Sequence, residues 1–212
     1  VLDTYLINNK KGRIKTPLLF CPLIKNSYLY KMSKIINLFG GPSIGKSTQA
    51  AGLYYEMKKA GYNVEMPYEF PKLQAWERNV YAVKDQFYIT ANQHRNISRL
   101  YGQVDYIIVD SPILFGLIYK DRYNEEPQYP AMFYGYKFDE FIVDLHKQYD
   151  SLNIVLEREP SMYQADGRFQ NLEESMEIDR EIIGMLERYD VDYYKVPIND
   201  NTANTIISLI QL

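Results

Sequence analysis

Apolar residues follow two rhythms along this chain. Short, mostly apolar runs, Ile35–Phe39, Val104–Val109 and Ser151–Leu156, read as strands covered on both faces. Two briefer segments, Asn63–Met66 and Asp192–Val196, read as further strands, the second closed by Pro197. Between them the apolar positions recur at helical spacing. From Lys46 to Ala60 the apolar side is Ala50, Ala51, Leu53, Tyr54 and Met57, and Gly61 ends the helix after Lys58 and Lys59. A long helix is expected from Tyr81 to Tyr101, with Val83, Phe87, Ala91, His94, Ile97 and Leu100 on its apolar face. Gln86, Gln93 and Arg95 lie on its other face, where they read either as ligand contacts or as a solvated surface. Further helices are expected over Ile113–Tyr119, Lys137–Gln148, Leu172–Tyr189 and Thr202–Leu212. Pro67 and Pro71 mark a loop, and Asp121–Phe133 and Ser161–Asn171 read as longer polar loops. Strands alternating with helices predict a three-layer α/β domain with a mainly parallel sheet and ligands at the strand C-terminal ends.

Composition narrows this picture only a little. The 212 residues suit one domain, and a net charge of −3 gives no global attraction to nucleic acid or acidic membranes. The single cysteine, Cys21, fits a reducing compartment, and no apolar run reaches the length of a membrane span. The 21 tyrosines are spread along the chain and read as half-buried amphipathic positions. Residues 1–31 stand apart, with Lys10, Lys11, Arg13 and Lys15 ahead of a short apolar run broken by Pro22. No small-residue cleavage site follows, so a signal peptide is disfavoured. They are expected to form a poorly ordered extension before a domain of residues 32–212.

The chemistry enters at the first strand. Gly40, Gly45, Lys46 and Ser47 fit G-x-x-x-x-G-K-[ST], the phosphate-binding P-loop, between a strand and a helix. Gly40, Gly41, Pro42, Ser43, Ile44, Gly45, Lys46, Ser47 and Thr48 form the expected cradle for a nucleoside triphosphate. Its backbone N–H groups and the helix N-terminus face the phosphates, with Lys46 on the β- and γ-phosphates. The Ser47 hydroxyl would take part in a Mg²⁺ site. Glu69 falls just beyond the second strand, where ligand contacts gather in open α/β sheets. Asp110, in Asp110-Ser111-Pro112, ends the third strand as a Walker-B carboxylate would; its competing role is an N-cap. Arg158 and the polar stretch bearing Tyr163, Asp166, Gly167 and Arg168 suit a lid that closes on phosphates.

With these features in order, the chain from about Met32 onward resembles the nucleoside- and nucleotide-kinase branch of P-loop proteins. GGPSIGKSTQAAGLYYEMKKAGYNVE, DQFYITANQHR and VDYIIVDSPIL are most similar to phage-type relatives of the nicotinamide riboside kinase domain. That group includes phage kinases acting on 5-hydroxymethyluracil in DNA. The resemblance implies a five-stranded parallel sheet of order 2-3-1-4-5, ATP with Mg²⁺, and transfer of the γ-phosphate to a hydroxyl. It implies Glu69 as the base, Gln86 as the reader of the acceptor's ring, Arg95 as a further substrate contact, and Arg158 and Arg168 as lid arginines. Two departures stand out: Glu69 sits in YEFP rather than a plain Glu-Pro, and DSP replaces a Glu-Arg-Ser triplet. The expected partner is a nucleoside-like substrate, free or within DNA, with the acidic balance favouring a small one. A P-loop ATPase that drives a partner is the alternative. No membrane association is expected, a homodimer is left open, and the expected location is the cytoplasm, the host's if the protein is phage-encoded.

Overall fold

The structure, a computed structural model, describes residues 32–124, 136–158 and 172–210. The expected extension 1–31 and the polar stretch Ser161–Asn171, Arg168 included, lie outside them, as does most of the expected loop Asp121–Phe133. The apolar runs become strands β1 (Lys34–Phe39), β2 (Val64–Glu65), β3 (Tyr106–Val109), β4 (Ser151–Glu157) and β5 (Tyr194–Pro197). All pair in parallel, in the order β2-β3-β1-β4-β5. β1 is central, and its alternating side chains feed both faces of the sheet. Ile36 and Leu38 pack with Ala50, Leu53 and Met57 of α1 (Lys46–Lys59) and Ile206 of α8 (Thr202–Ile210). On the opposite face Phe39 packs beneath α5 (Phe115–Asn124), α6 (Tyr136–Lys147) and α7 (Leu172–Arg188). Ile35 packs there with Ile97 of α4 (Gln86–Ser98) and Ile113.

One polar pair lies inside this apolar sheet. Asn37 Nδ2 donates to Asn153 Oδ1 at 3.0 Å, and Asn153 Nδ2 donates to Asp192 O at 2.9 Å. Asn37 and Asn153 are also register partners between β1 and β4. Sliding either strand would leave buried amides unpaired, so the pair pins the register that aims β1 at the loop after Phe39.

Several boundaries depart from the expected ones, each for a local reason. The Pro67–Pro71 loop gives way to α2 (Phe70–Trp76), because Pro71 falls in the first turn, where a missing N–H costs nothing. The long helix expected from Tyr81 to Tyr101 is two, α3 (Val80–Lys84) and α4. The break is Asp85, with an extended backbone (φ −77, ψ 90) and a side chain that accepts from Tyr88 N, capping α4. Helix α5 starts at Phe115 rather than Ile113 and continues through Lys120, Asp121 and Arg122. Those polar residues are held inside the helix by partners elsewhere, Lys120 by Asp139 and Arg122 by Glu177 and Glu181. The end of α1 is as expected: Gly61 (φ +86) follows the helix, Tyr62 N bonds Met57 O and Gly61 N bonds Lys58 O.

The largest correction concerns which side of α4 is buried. Its buried residues are Gln86, Ile89, Thr90, Gln93 and Ile97, whereas Phe87, assigned to the apolar face, is 60% exposed. Of the expected face only Ile97 is buried. The reason lies in what α4 covers: most of this face is the wall of a cavity.

Candidate active site

The turn leaving β1 has the backbone that the glycine-rich motif requires. Ser43 (φ +59) and Gly45 (φ +91) both lie in the left-handed region, which folds the loop back over the N-terminus of α1. Gly41 answers a different demand, close approach. A Cβ there would lie 2.6 Å from Ser175 O and 2.8 Å from Asp179 Oδ1 of α7. Lys46 Nζ donates to Gly40 O at 2.7 Å and to Gly41 O at 2.9 Å, and it lies 5.6 Å from the centre of the Phe115 ring. Burial lowers the pKa of this ammonium to about 8, and the nearby Arg158 pushes the same way. Glu69, Asp110 and Asp179 oppose that fall. Three carboxylates from different parts of the chain thus act on one lysine.

The loop forms one end of a cavity of about 760 Å³, within the range of sites for small organic ligands. Ser43, Gly45, Lys46, Ser47 and Thr48 line the phosphate end. Glu69, at the N-cap position of α2 with an extended backbone, lines it too. Gln86, Ile89, Thr90 and Gln93 of α4 form another wall, and Phe115, Gly116 and Tyr119 of α5 another. Three residues that line the cavity carry side-chain atoms that are buried with no hydrogen-bond partner among the described residues: Gln93 Nε2, Thr90 Oγ1 and Ser43 Oγ. Gln93 is only 2% exposed, and its Oε1 accepts from Phe70 N at 3.0 Å, which leaves the amide's donor end unspent. Orphaned polar atoms of this kind are scarce in folded proteins and call for a ligand or an ordered water.

The structure brings together many, though not all, of the residues named from sequence. The P-loop, Glu69 and Gln86 line the same cavity. Asp110 directly follows β3, is 8% exposed, and its charge reaches Lys46. Gln86 donates to Val83 O at 2.8 Å, so its amide is engaged locally. Arg95 is exposed and does not line the cavity. Arg158 lies behind the loop rather than over it: its side chain is 7% exposed, paired with Asp179 at 2.6 Å and bonded to Pro42 O at 2.8 Å. Arg168 lies outside the described residues. Sequence reasoning passed over Thr90 and left Gln93 between a ligand contact and a solvated surface. Their signal was present, since Gln86, Thr90 and Gln93 recur at the spacing of one helix face.

Can these residues hold Mg²⁺? Among the described residues no cluster of three or more His, Cys, Asp or Glu side chains could hold a metal by itself. The Ser47 hydroxyl and Asp110 carboxylate fit the other arrangement, an ion that arrives on phosphates and takes few protein ligands. No helix among the described residues is long and apolar enough to cross a membrane.

A parallel sheet in this order, with a glycine-rich loop joining its central strand to a helix, defines the P-loop kinase fold. The chain belongs to a family of AAA domains, whose model matches residues 35–203. Among solved structures it resembles the NadR protein in complex with NR, with a TM-score of 0.62 and 13% identity. That match covers 84% of this chain and 50% of the other, so this chain spans about half the length of that protein. It also resembles deoxyadenosine kinase from M. mycoides with bound dATP, with a TM-score of 0.55 and 20% identity over 84% of this chain and 100% of the other. At these identities the likeness is one of fold. No curated protein matches the chain.

Proposed function

We propose that the protein is an ATP-dependent kinase that transfers the γ-phosphate to a hydroxyl of a nucleoside-like acceptor. The observation that carries this reading is a single cavity with a phosphate loop at one end and unspent, buried hydrogen-bonding atoms on its α4 wall. A hydrolase needs only the first; the second supplies hydrogen-bonding groups by which an acceptor would be read. The name of one similar protein, deoxyadenosine kinase, supports the same class of acceptor. Free (deoxy)nucleosides, nucleotides and 5-hydroxymethyluracil in DNA are the candidates.

In this mechanism the triphosphate lies along Gly40–Thr48, and Lys46 exchanges the carbonyls of Gly40 and Gly41 for phosphate oxygens. Ser47 and Asp110 would hold Mg²⁺, which neutralises charge on the β- and γ-phosphates. Glu69 accepts the proton of the acceptor hydroxyl as its oxygen bonds to the γ-phosphorus and the bond to ADP breaks. Gln93 Nε2 donates to a carbonyl oxygen or ring nitrogen of the acceptor, with Thr90 beside it. Arg158 adds positive charge from behind the loop, and Arg168 is assigned to the transferring group. Phosphoryl transfer needs this positioning and charge more than covalent help.

The test is transfer of labelled γ-phosphate to a panel of nucleosides, nucleoside monophosphates, nicotinamide riboside and hydroxymethyluracil-containing DNA. A labelled acceptor is expected. Membership of an AAA-domain family favours one second reading, an ATPase in which Glu69 orients water. Phosphate release with no labelled acceptor would establish it instead.

A further inference from the structure

The cavity does not include the most polar contact made by the loop. On the side facing α7, Gly41 N donates to Asp179 Oδ1 at 2.5 Å. The other carboxylate oxygen, Oδ2, accepts from Arg158 Nε at 2.6 Å, and Arg158 Nη2 donates to Pro42 O at 2.8 Å. One carboxylate and one guanidinium therefore grip the N–H of Gly41 and the C=O of Pro42. The grip passes onward through a peptide group. Gly41 N–H and Gly40 C=O belong to the same peptide, and Gly40 O accepts from Lys46 Nζ at 2.7 Å. That peptide lies between a carboxylate and an ammonium, in the orientation both favour.

We propose that Asp179 is a positioning residue for the phosphate loop, setting the Gly40–Gly41 peptide and Arg158 so that the cradle is shaped before a triphosphate enters. The inference rests on the proposed use of that loop for ATP. Neither Asp179 nor Arg158 lines the cavity, so the effect is exerted through the loop's backbone. Stability alone is a poor account of the pair. Arg158 is 7% and Asp179 23% exposed, and an ion pair buried to that degree gains little over apolar residues of similar shape. What an apolar pair could not supply is an acceptor for Gly41 N–H and a donor for Pro42 O. Position 41 is matched to the arrangement, since any Cβ there would strike Ser175 O and Asp179 itself.

The test is calorimetric titration of the whole chain with Mg²⁺-ATP and with inorganic tripolyphosphate, alongside thermal melting. Asp179→Asn keeps the shape and loses the charge. Both ligands are expected to bind at least tenfold more weakly, because the defect lies where phosphates bind. Glu181→Gln, on the same helix and paired with Arg122, is expected to melt earlier yet bind as the wild type does. If Asp179→Asn does not fold, Asp179→Glu carries the test: it keeps the Arg158 pair but misplaces the acceptor for Gly41 N–H, and a several-fold loss is expected. Binding by the folded Asp179 variant within twofold of wild type overturns the inference alone, as does an equal loss in Glu181→Gln. A wild-type chain that binds neither ligand overturns the proposed function and this inference with it.

Discussion

Helices α1 and α4 are nearly the same length, 14 and 13 residues, and both bury one side against the body of the domain. The buried residues of α1 are Ala50, Leu53 and Met57, all apolar and all packed on the sheet. Those of α4 include Gln86, Thr90 and Gln93, and Thr90 and Gln93 carry atoms with no partner among the described residues. Burial is the same and the chemistry is opposite. Apolar burial stabilises in proportion to the area removed from water, whereas an unpaired polar atom costs about 1–3 kcal/mol. The buried side of α1 is accounted for by folding alone; that of α4 makes sense only if something else completes it.

Four measurements would break or sharpen that contrast, beginning with the largest effect. Lys46→Ala is expected to lower turnover by about 10³ or more while the chain stays folded, since it removes the cation at the phosphates. Near-normal turnover would mean that the loop at the head of α1 is not used as proposed. Glu69→Gln should slow transfer by about 10² with ATP affinity retained. Loss of ATP binding in that variant would move Glu69 to the nucleotide's end of the cavity.

The third measurement sets the two helices against each other. Leu53→Ala should cost about 2–5 kcal/mol in urea unfolding, as a cavity in a packed core does. Gln93→Met should change stability by no more than about 1 kcal/mol, because the gain from removing an orphan donor offsets the cost of leaving Phe70 N–H without its partner. The same variant should raise the acceptor's KM about tenfold with kcat for ATP hydrolysis unchanged, one lost hydrogen bond in a buried site being of that size. Equal destabilisation by both substitutions would make the α4 wall an ordinary core.

The smallest effect concerns a buried polar group away from the cavity. His146 of α6 is 5% exposed, and burial, aided by Lys147, holds its pKa down to about 4 from 6.5. The unfolded chain then binds more protons between those values, so stability rises with pH across the interval and falls as pH drops through it. Unfolding at pH 5 and pH 7 should differ by on the order of 2 kcal/mol from this residue, and His146→Leu should flatten that slope. An unchanged slope would show that His146 is not the group responsible.

How far the site could be read beforehand follows from the range of the interactions. The cradle from Gly40 to Thr48 was legible because its geometry comes from consecutive backbone units. The helical character of Tyr81–Tyr101 was legible, but the extended backbone of Asp85 splits a run that looked continuous. The buried face of α4 was misread because apolar residues at helical spacing ordinarily mark the buried side, and a cavity wall reverses that preference. Nothing local distinguishes Arg158 as a brace from Arg158 as a lid residue; the distinction lies in Asp179, 21 positions away.

The sequence alone determined the strand–loop–helix unit and the parallel α/β class. Both follow from short-range rules: side-chain period, glycine at strained turns, and the hand of crossover connections. The tertiary structure alone decided that Gln93 and Thr90 border the cavity, that Arg95 does not, and that Asp179 holds the back of the phosphate loop. Those facts depend on which helix faces meet across the sheet, and such meetings are set by the packing of the whole domain rather than by any segment of it.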